Sequence, residues 1–283
     1  MTKEEFSRYV TLMGQTAILP FYIKRENEEF IHAGTLTLVE YKGMFWAITA
    51  GHGLPESYRD GIFIPHKDGG FYDLLEVDGG VIRYDFKNNK APDDPKYNDI
   101  TIFHLIGKFG DKNYYKLDSN LLEEYDKKYF GWSGFPLKKS QNFHRTKDPK
   151  KIMKSSLKKD EFGKDRFHFM QALTANIKLI KIENNLVWGY EDLKDVHYAK
   201  DNIKKEQGYS LKGMSGGAIF LYRKPDCISL QEINNDKDFF YNMFLFIGIG
   251  IEHRNRKEVI GIYKDSIIAK LDILIDDVKN TLF

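Results

Sequence analysis

The chain has 283 residues, of which 42% are hydrophobic and 14% aromatic. This is enough apolar material for one or two packed domains, and it excludes a disordered or fibrous protein. Its 43 Lys and Arg nearly balance 41 Asp and Glu, which leaves a net charge of +2. That balance excludes a protein that binds nucleic acid through an overall excess of positive charge.

Two further features predict a cytoplasmic protein. The single cysteine, Cys227, excludes an internal disulfide and favours a reducing compartment. The opening stretch MTKEEFSRYVTLMGQ has no apolar run of the kind found in signal peptides. No segment approaches the roughly 20 uninterrupted apolar residues of a membrane-spanning helix, so no membrane association is expected.

The predicted elements begin with a short helix and continue with strands. Thr2 and Glu5 have the spacing of a capping box, which predicts a helix over residues 2–14. After it come about a dozen short runs rich in β-branched and aromatic residues, separated by polar turns, from AILPFYIKR to EVIGIY. Little helix lies between them. The pattern predicts an all-β protein built as sandwiches or barrels, and the chain length favours two of them.

The most polar stretch interrupts these strands at residues 137–167. It carries eleven Lys or Arg against four acidic residues and shows no strand or helix period. We interpret it as a long surface loop. A nucleic-acid site would need aromatic residues interleaved with the charges, and only Phe143 and Phe162 lie well inside the stretch. Docking of a protein partner is the remaining alternative.

The last 20 residues predict an amphipathic helix. One face of this segment, 264–283, is apolar at helical spacing, with Asp265 or Ser266 as the expected cap. We expect this face to pack on the second β unit rather than to bind a partner. The apolar positions are Ile267, Ile268, Leu271, Leu274, Ile275, Val278 and Leu282.

Three short stretches carry residues with catalytic chemistry. His52 follows an apolar strand in WAITAGHGL, Asp99 opens a strand in YNDITIFHL, and Ser215 stands between a Met and two glycines in KGMSGGAIF. Taken singly, each has a structural explanation as a loop or turn residue. Taken together, they give the chain order His, Asp, Ser, which is the order of one class of serine hydrolase.

The short sequence motifs around these residues resemble those of the chymotrypsin-like serine peptidases. ITAGHG is similar to the family's TAAHC, NDITIF to its NDIALL, and GMSGG to its GDSGG. The resemblance implies two six-stranded antiparallel β-barrels, here residues 17–122 and 123–263. A helix at 1–16 and the helix at 264–283 would flank them.

The resemblance also implies a mechanism and its residues. Ser215 would attack a peptide carbonyl, His52 would act as general base and then acid, and Asp99 would orient the imidazole. The backbone N–H groups of Gly213 and Ser215 would bind the oxyanion. The substrate would be a protein or peptide, and no cofactor or metal is implied.

Substrate contacts are predicted by the same resemblance. The strand FIGIGIE would pair with an extended substrate through Ile247, Gly248, Ile249 and Gly250. Tyr209 lies near the expected base of the specificity pocket, where no acidic residue stands. Glu206 and Glu252 nevertheless leave a preference for Lys or Arg open. His253 is a candidate for contact with a substrate side chain, with a packed structural histidine as its alternative.

One residue departs from the family pattern and bears on regulation. Met214 stands where secreted members carry the Asp that pairs with a newly cleaved amino terminus. We therefore expect no activation by that route. The hypothesis is that the segment 137–167 or 191–208 keeps the oxyanion turn disordered until a protein partner or ligand docks. Regulated bacterial trypsin-like peptidases, including those of stress and defence systems, are similar in this respect.

Two other functions compete with this interpretation. GMSGG also fits the G-x-S-x-G elbow of α/β-hydrolases, with Asp226, Asp236 or Asp238 and then His253 as partners. That elbow needs a helix after the serine, and GAIFLYR is strand-like. The second alternative is a catalytically idle trypsin-like fold that binds proteins, which the presence of all three catalytic residue types disfavours. Neither H-E-x-x-H nor a P-loop motif occurs.

Overall fold

The computed structural model describes fourteen segments of the chain and shows a mostly β protein. The described residues are 12–24, 30–54, 61–65, 71–74, 82–88, 98–109, 112–117, 125–136, 157–159, 165–167, 172–198, 211–224, 236–255 and 257–282. Within them, 12–14 are helical and Gly51–Gly53 form a single 3₁₀ turn.

The strands fall into an open sheet, a hairpin and a closed barrel. In chain order the first eight are β1 (Ile18–Lys24), β2 (Phe30–Tyr41), β3 (Met44–Ala50), β4 (Phe63–Pro65), β5 (Phe71–Asp73), β6 (Ile82–Asn88), β7 (Asn98–Leu105) and β8 (Tyr115–Lys116). The others are β9 (Tyr129–Gly134), β10 (Leu157–Lys159), β11 (Asp165–Phe167), β12 (Leu173–Glu183), β13 (Leu186–Tyr198), β14 (Ala218–Tyr222), β15 (Phe244–Arg254) and β16 (Glu258–Tyr263). Two helices follow β14 and β16, namely α1 (Asp236–Met243) and α2 (Lys264–Leu282).

The first eight strands form a sheet in the order β5-β4-β1-β2-β3-β7-β6, with β8 added parallel to β2. All other pairs in this sheet are antiparallel, and β5 and β6 are its edges among the described strands. The second unit is a closed barrel in the order β12-β13-β16-β15-β14-β9. The predicted all-β class is thus confirmed, together with one closed six-stranded barrel, whereas the first unit is an open sheet over the described residues.

Strand β2 contacts both units, because its side chains alternate between the two faces of the open sheet. Leu36 and Leu38 point into the core of the open sheet. Thr35 and Thr37 occupy the intervening positions and donate hydrogen bonds to the barrel's 213–216 turn region. Since successive side chains of a strand point to opposite faces, one strand serves both the first core and the contact between the units.

The two units also share a continuous apolar core. It contains Trp46 and Ile102 from the open sheet and Phe220 and Phe246 from the barrel, all buried. Helix α2 completes this core with the predicted apolar stripe, so the expected amphipathic helix is confirmed. The stripe residues that lie fully in the core are Ile267, Leu271, Leu274, Ile275 and Val278.

Helix α2 contacts the open sheet as well as the barrel. The hydroxyl of Tyr41, at the end of β2, donates a 3.0 Å hydrogen bond to Asp272 Oδ1. The helix begins at Lys264, one residue before the earlier of the two expected caps. Docking is therefore broader than the predicted packing on the second β unit alone. No helix in the described part of the chain is long and apolar enough to cross a membrane.

Two sequence predictions fall largely outside the described residues. Of the predicted amino-terminal helix over 2–14, only 12–14 are described, and they are helical. The stretch 137–167 was interpreted as a loop, but β10 and β11 within it pair as an antiparallel hairpin, from Leu157 with Phe167 to Lys159 with Asp165. This is a correction. Four of the six residues in these two strands are charged, so the strands lack the apolar alternation by which a strand is recognised in sequence.

Candidate functional site

His52 and Asp99 meet where two paired strands of the open sheet end. Strands β3 and β7 pair up to Ala50 opposite Ile100, so the residues just beyond that pair are neighbours. The 3₁₀ turn Gly51–Gly53 then folds His52 onto the carboxylate. Asp99 Oδ1 accepts the His52 backbone N–H at 2.7 Å, and Oδ2 contacts the ring Nδ1. The carboxylate therefore sets both the backbone and the ring orientation of the histidine.

The side chain of Asp99 is much less exposed to solvent than the side chain of His52. The Asp99 side chain is 9% exposed, whereas the His52 side chain is 52% exposed. A buried carboxylate beneath a half-exposed imidazole holds Nδ1 inward and leaves the ring able to meet a molecule from solvent. This is the arrangement in which a carboxylate fixes the tautomer of a catalytic base.

Ser215 lies on two consecutive tight turns, each closed by a backbone hydrogen bond. The first runs from Leu211 to Met214 at 3.0 Å, and the second from Met214 to Gly217 at 2.8 Å. The third residue of each turn has a positive φ, 97° at Gly213 and 84° at Gly216. This matches the type II turn, which requires a left-handed residue at that position and so favours glycine.

Strand β2 holds this double turn from the opposite unit. The Thr35 backbone N–H donates to Ser215 O at 3.0 Å, and the Thr35 hydroxyl donates to Gly213 O at 3.3 Å. The Thr37 hydroxyl donates to Gly216 O at 2.7 Å. The Thr35 hydroxyl also accepts the Phe135 N–H at 3.0 Å. Both sheets are thus needed to shape the turn.

Gly216 has no room for a side chain. A Cβ at this position would overlap Thr35 O and Thr49 Oγ1, and the backbone is left-handed there. On its other side, the Gly216 N–H donates to Gly250 O at 2.7 Å, which ties the turn to β15. The two glycines after Ser215 are therefore explained by close approach of neighbouring backbones.

A three-residue piece of β2, residues 33–35, lies beside both the 3₁₀ turn that carries His52 and the turn that carries Ser215. Ala33 O would be 3.3 Å from a Cβ on Gly53, next to His52. Two residues on, Thr35 is bonded to Ser215 O. The structure thus brings the His52 turn and the Ser215 turn to the same piece of backbone, although they are 163 residues apart in the chain (215 − 52).

The Ser215 hydroxyl points at β15. It donates a 3.2 Å hydrogen bond to the carbonyl oxygen of Ile251. Among the described residues this is its hydrogen-bond partner, so the hydroxyl is directed at the strand rather than at the imidazole. A rotation about the Cα–Cβ bond of Ser215 redirects it without moving the backbone.

On the double turn, the backbone N–H groups of Gly213 and Ser215 have no hydrogen-bond acceptor within the described residues. The N–H groups of Met214, Gly216 and Gly217 are all bonded to carbonyl oxygens. The unbonded pair is the pair that the sequence predicts as an oxyanion site. Gly213 is partly exposed, as is Ser215.

The predicted substrate strand is placed differently from the expectation. Gly248 and Ile249 are paired on one side with β14 and on the other with β16. Gly250 is bonded to both Gly216 and Gly217. Both edges of β15 are occupied over these residues, and the open edge begins only at Ile251. Residues 251–254 have β16 on one side and no described strand on the other.

Of the other predicted pocket residues, Tyr209 and Glu206 lie outside the described residues, whereas Met214 is described. Met214 is fully buried in the barrel core with Leu211. Its backbone and Cβ would meet a Cβ on Gly134 at 2.9 Å. The position that carries an acid in the resembling family is here an apolar anchor of the turn.

A second histidine–carboxylate pair lies inside the barrel, and only its histidine, His253, is predicted as a candidate from the sequence. His253 Nε2 is 2.7 Å from Glu191 Oε2, with side-chain exposures of 8% and 0%. The Trp132 ring packs edge-on against the imidazole, with centroids 6.5 Å apart. Alternation along β13 was the available signal, because Val187, Gly189 and Glu191 are all buried.

Two other histidines are held neutral by their surroundings. Burial lowers the pKa of His32, next to Ala33, to about 4. Burial also lowers the pKa of His104, which packs on Trp46 with ring centroids 4.9 Å apart. No three His, Cys, Asp or Glu side chains in the described part of the chain group in a way that could hold a metal ion.

The serine elbow of α/β-hydrolases is contradicted by the structure. The residues after Ser215 enter strand β14, where that elbow requires a helix. The chain matches no protein-family model and none of the curated proteins with which it was compared.

Proposed function

We propose that this protein is a serine endopeptidase of the chymotrypsin-like class, acting on protein or peptide substrates through an acyl-enzyme. One observation carries the proposal, namely that the 3₁₀ turn of the Asp99-oriented His52 and the Ser215 double turn both lie beside residues 33–35 of β2. Nucleophile, base and orienting carboxylate are the three parts that such catalysis needs.

The reaction proceeds in two halves. Ser215 Oγ attacks the carbonyl carbon of the cleaved bond while its proton passes to His52. The oxyanion binds the N–H groups of Gly213 and Ser215, and His52 returns the proton to the leaving amine as the C–N bond breaks. Water, deprotonated by His52, then hydrolyses the ester and restores the hydroxyl.

The bound substrate extends along residues 251–254, the open edge of β15. Main-chain hydrogen bonds to this edge add the substrate as a further strand. Its approach displaces the Ser215 hydroxyl from Ile251 O and frees the hydroxyl to turn toward His52. The Ile251 carbonyl is then an acceptor for a substrate N–H.

The fold proposed for this function is the two-barrel arrangement. The described strands support it with one closed barrel and with a sheet whose edges are β5 and β6. Pairing of β5 with β6 is the single step that closes the second barrel. The lone cysteine is consistent with action in the cytoplasm.

Activity is controlled by a partner or ligand in this proposal, since Met214 offers no carboxylate for activation by a cleaved amino terminus. The isolated chain is therefore expected to cleave an unstructured protein slowly, and its rate should rise when the activating molecule is added. Vigorous cleavage by the isolated chain contradicts this part and leaves the catalytic assignment intact.

A fluorophosphonate probe, which modifies activated serines, tests the catalytic assignment. Native protein should be labelled at Ser215, as located by mass spectrometry of the peptide. Ser215→Ala should abolish labelling, whereas Ser266→Ala, on helix α2, should leave it unchanged. Labelling absent in the native protein, both alone and in extract of the source cells, refutes the proposal.

One observation favours a second candidate function, a catalytically idle protein-binding fold. The Ser215 hydroxyl is directed at Ile251 O and not at His52. If that hydrogen bond persisted when peptide is bound, the serine would stay unactivated. Peptide binding without labelling is the result that identifies this alternative.

A further inference from the structure

The amino-terminal segment 12–17 lies between the two units and contacts both. On the side of the open sheet, Ala17 O accepts a backbone N–H of β2 at 2.9 Å, and the buried hydroxyl of Tyr115 donates to Gly14 O at 2.8 Å. On the side of the barrel, a Cβ on Gly14 would lie 2.9 Å from an aromatic ring of β14. The backbone on either side of Gln15 is therefore held in place.

The side chain of Gln15 begins a chain of hydrogen bonds that runs into the barrel. Its Nε2 donates to Thr174 Oγ1 at 2.9 Å, although the two residues are 159 positions apart. Thr174 Oγ1 is in turn 2.6 Å from Ser133 Oγ, and both of these residues are buried. Thr174 on β12 and Ser133 on β9 are also paired directly in the barrel. Because buried hydroxyl groups depend on their hydrogen bonds, the Gln15 amide bears on the position of Ser133.

The end of β9 that carries Ser133 packs against the residues on both sides of the candidate nucleophile. A Cβ on Gly217 would lie 2.1 Å from Ser133 O. A Cβ on Gly134 would lie 2.9 Å from Met214 Cα. Met214 and Gly217 are the two ends of the turn that carries Ser215, and a 2.8 Å hydrogen bond between their backbones closes it. With contacts this close, a shift of β9 is transmitted to the turn.

Resting on the proposed function, we infer that Gln15 is a positioning residue for the reaction of Ser215. Its side chain touches neither the substrate nor the reacting atoms. Through Thr174 it fixes the Ser133 end of β9, and this end supports the turn whose N–H groups are proposed to bind the oxyanion. Because an oxyanion site acts through donors that are in place before the reaction, a loosened turn lowers the rate of acylation and leaves the affinity for the probe or substrate unchanged.

Two variants of Gln15 test the inference with the fluorophosphonate probe. Gln15→Met keeps the length of the side chain but removes the amide donor, so the maximal labelling rate of Ser215 should fall about fivefold, as expected for one net hydrogen bond. The probe concentration that gives half the maximal rate should stay native. Gln15→Glu should restore the native rate, because its carboxylate accepts the Thr174 hydroxyl and the chain of hydrogen bonds then runs in the opposite direction.

Thr16→Val is the matched control on the same segment. The Thr16 hydroxyl accepts the Asn113 Nδ2–H at 2.7 Å, which is a contact with the open-sheet unit and lies outside the chain of hydrogen bonds to β9. Its loss should leave the labelling rate native. A native rate for Gln15→Met, a slow rate for Gln15→Glu, or an equal loss in Thr16→Val overturns the inference.

Hydrogen exchange of the Gly217 amide, followed by NMR, separates failure here from failure of the proposed function. This N–H closes the turn, so its exchange rate measures how often the turn opens. Exchange should be about fivefold faster in Gln15→Met than in native protein and unchanged in Thr16→Val. The measurement needs no functional nucleophile, so it stands even where the probe fails to label Ser215.

Two results of the exchange measurement overturn the inference. One is equal exchange of the Gly217 amide in Gln15→Met and in native protein. The other is an increase that the amide of Ile102, in the buried part of the open sheet, shares to the same extent, because this shows a general loss of stability. Labelling of Ser215 in native protein separately decides the catalytic proposal.

Discussion

The open sheet and the closed barrel supply the candidate site in different ways. In the open sheet, the His52–Asp99 contact follows from one pair of adjacent strands, β3 and β7. In the barrel, the Ser215 turn takes its shape from hydrogen bonds to Thr35 and Thr37, which belong to the other unit. The His52–Asp99 contact is therefore a product of local strand pairing, and the shape of the Ser215 turn is a product of packing between units.

This difference separates two kinds of variant. A change at the histidine–carboxylate contact should alter the chemistry and leave the fold in place. A change where β2 meets the double turn should alter both stability and chemistry, since the same hydrogen bonds join the units and shape the turn that carries Ser215.

Asp99→Asn is expected to have the largest effect on rate. The amide no longer stabilises a protonated His52 and no longer favours the ring tautomer that accepts the serine proton. Fluorophosphonate labelling should slow by about 10³- to 10⁴-fold. Asp272→Asn, a carboxylate change on α2, should label at the native rate. A native rate for Asp99→Asn would show that His52 is not the base.

Gly216→Ala tests the contact between the units through stability. A Cβ would overlap backbone and side-chain atoms of β2 and β3, and the residue would have to keep a φ of 84°. We expect a loss of about 3 kcal/mol or more in the free energy of unfolding, measured by urea denaturation.

Gly43→Ala is the matched control for this measurement. Gly43 has a similar φ of 75°, but no atom lies within 4 Å of its added Cβ. At Gly43 the alanine only has to adopt a left-handed backbone conformation, so the free energy of unfolding should fall by about 1 kcal/mol. Equal losses at Gly43 and Gly216 would show that the double turn is not closely packed against β2.

The secondary structure was predictable because it depends on local patterns. Alternation predicted the strands, and helical spacing predicted α2 with its buried stripe. The open edges of the first sheet were not predictable, because closure depends on which short strands pair. The β10–β11 hairpin was missed because four of its six strand residues are charged, which hides the alternation of a strand.

At the candidate site, the sequence predicts His52, Asp99 and Ser215 but not the groups that hold them. Thr35 and Thr37 alternate with leucines, a pattern that predicts a solvent-facing side of a strand. Both are buried instead, because a second unit covers that face. Glu191 and His253 are 62 residues apart (253 − 191), and only the register of β13, β16 and β15 brings them together.

Thr35→Val is expected to have an intermediate effect. It keeps the shape of the side chain but removes the hydroxyl that donates to Gly213 O and accepts the Phe135 N–H. The buried N–H loses its acceptor, so unfolding free energy should fall by about 1–3 kcal/mol. Labelling of Ser215 should also slow, because the N–H group of Gly213 belongs to the proposed oxyanion site.

Thr101→Val distinguishes this effect from a general loss of stability. Thr101 is equally buried, but its hydroxyl donates to Asp85 within the open sheet. Its replacement should lower stability by a comparable amount while the labelling rate stays native. Slower labelling in Thr101→Val than in Thr35→Val would contradict a specific role for the β2 contact.

The smallest expected effect is the contribution of His32 to the free energy of unfolding, and it is seen in the pH dependence of that free energy. The residue lies on β2 beside Ala33, and burial lowers its pKa to about 4, below the ordinary value near 6.5. The folded protein therefore keeps the imidazole neutral, while the unfolded chain takes up a proton below pH 6.5. The stability contribution is complete above that pH and is lost as the pH falls toward 4.

His32→Phe retains the edge-on ring contact with Tyr22, whose centroid lies 5.6 Å away, and removes the titration. Between pH 7.0 and 5.5, the native protein should lose about 1 kcal/mol more unfolding free energy than this variant. Urea denaturation at the two pH values measures the difference. Parallel losses in both proteins would mean that His32 is hydrated or protonated in the folded state, and that β2 is less tightly covered beside the site than at Thr35.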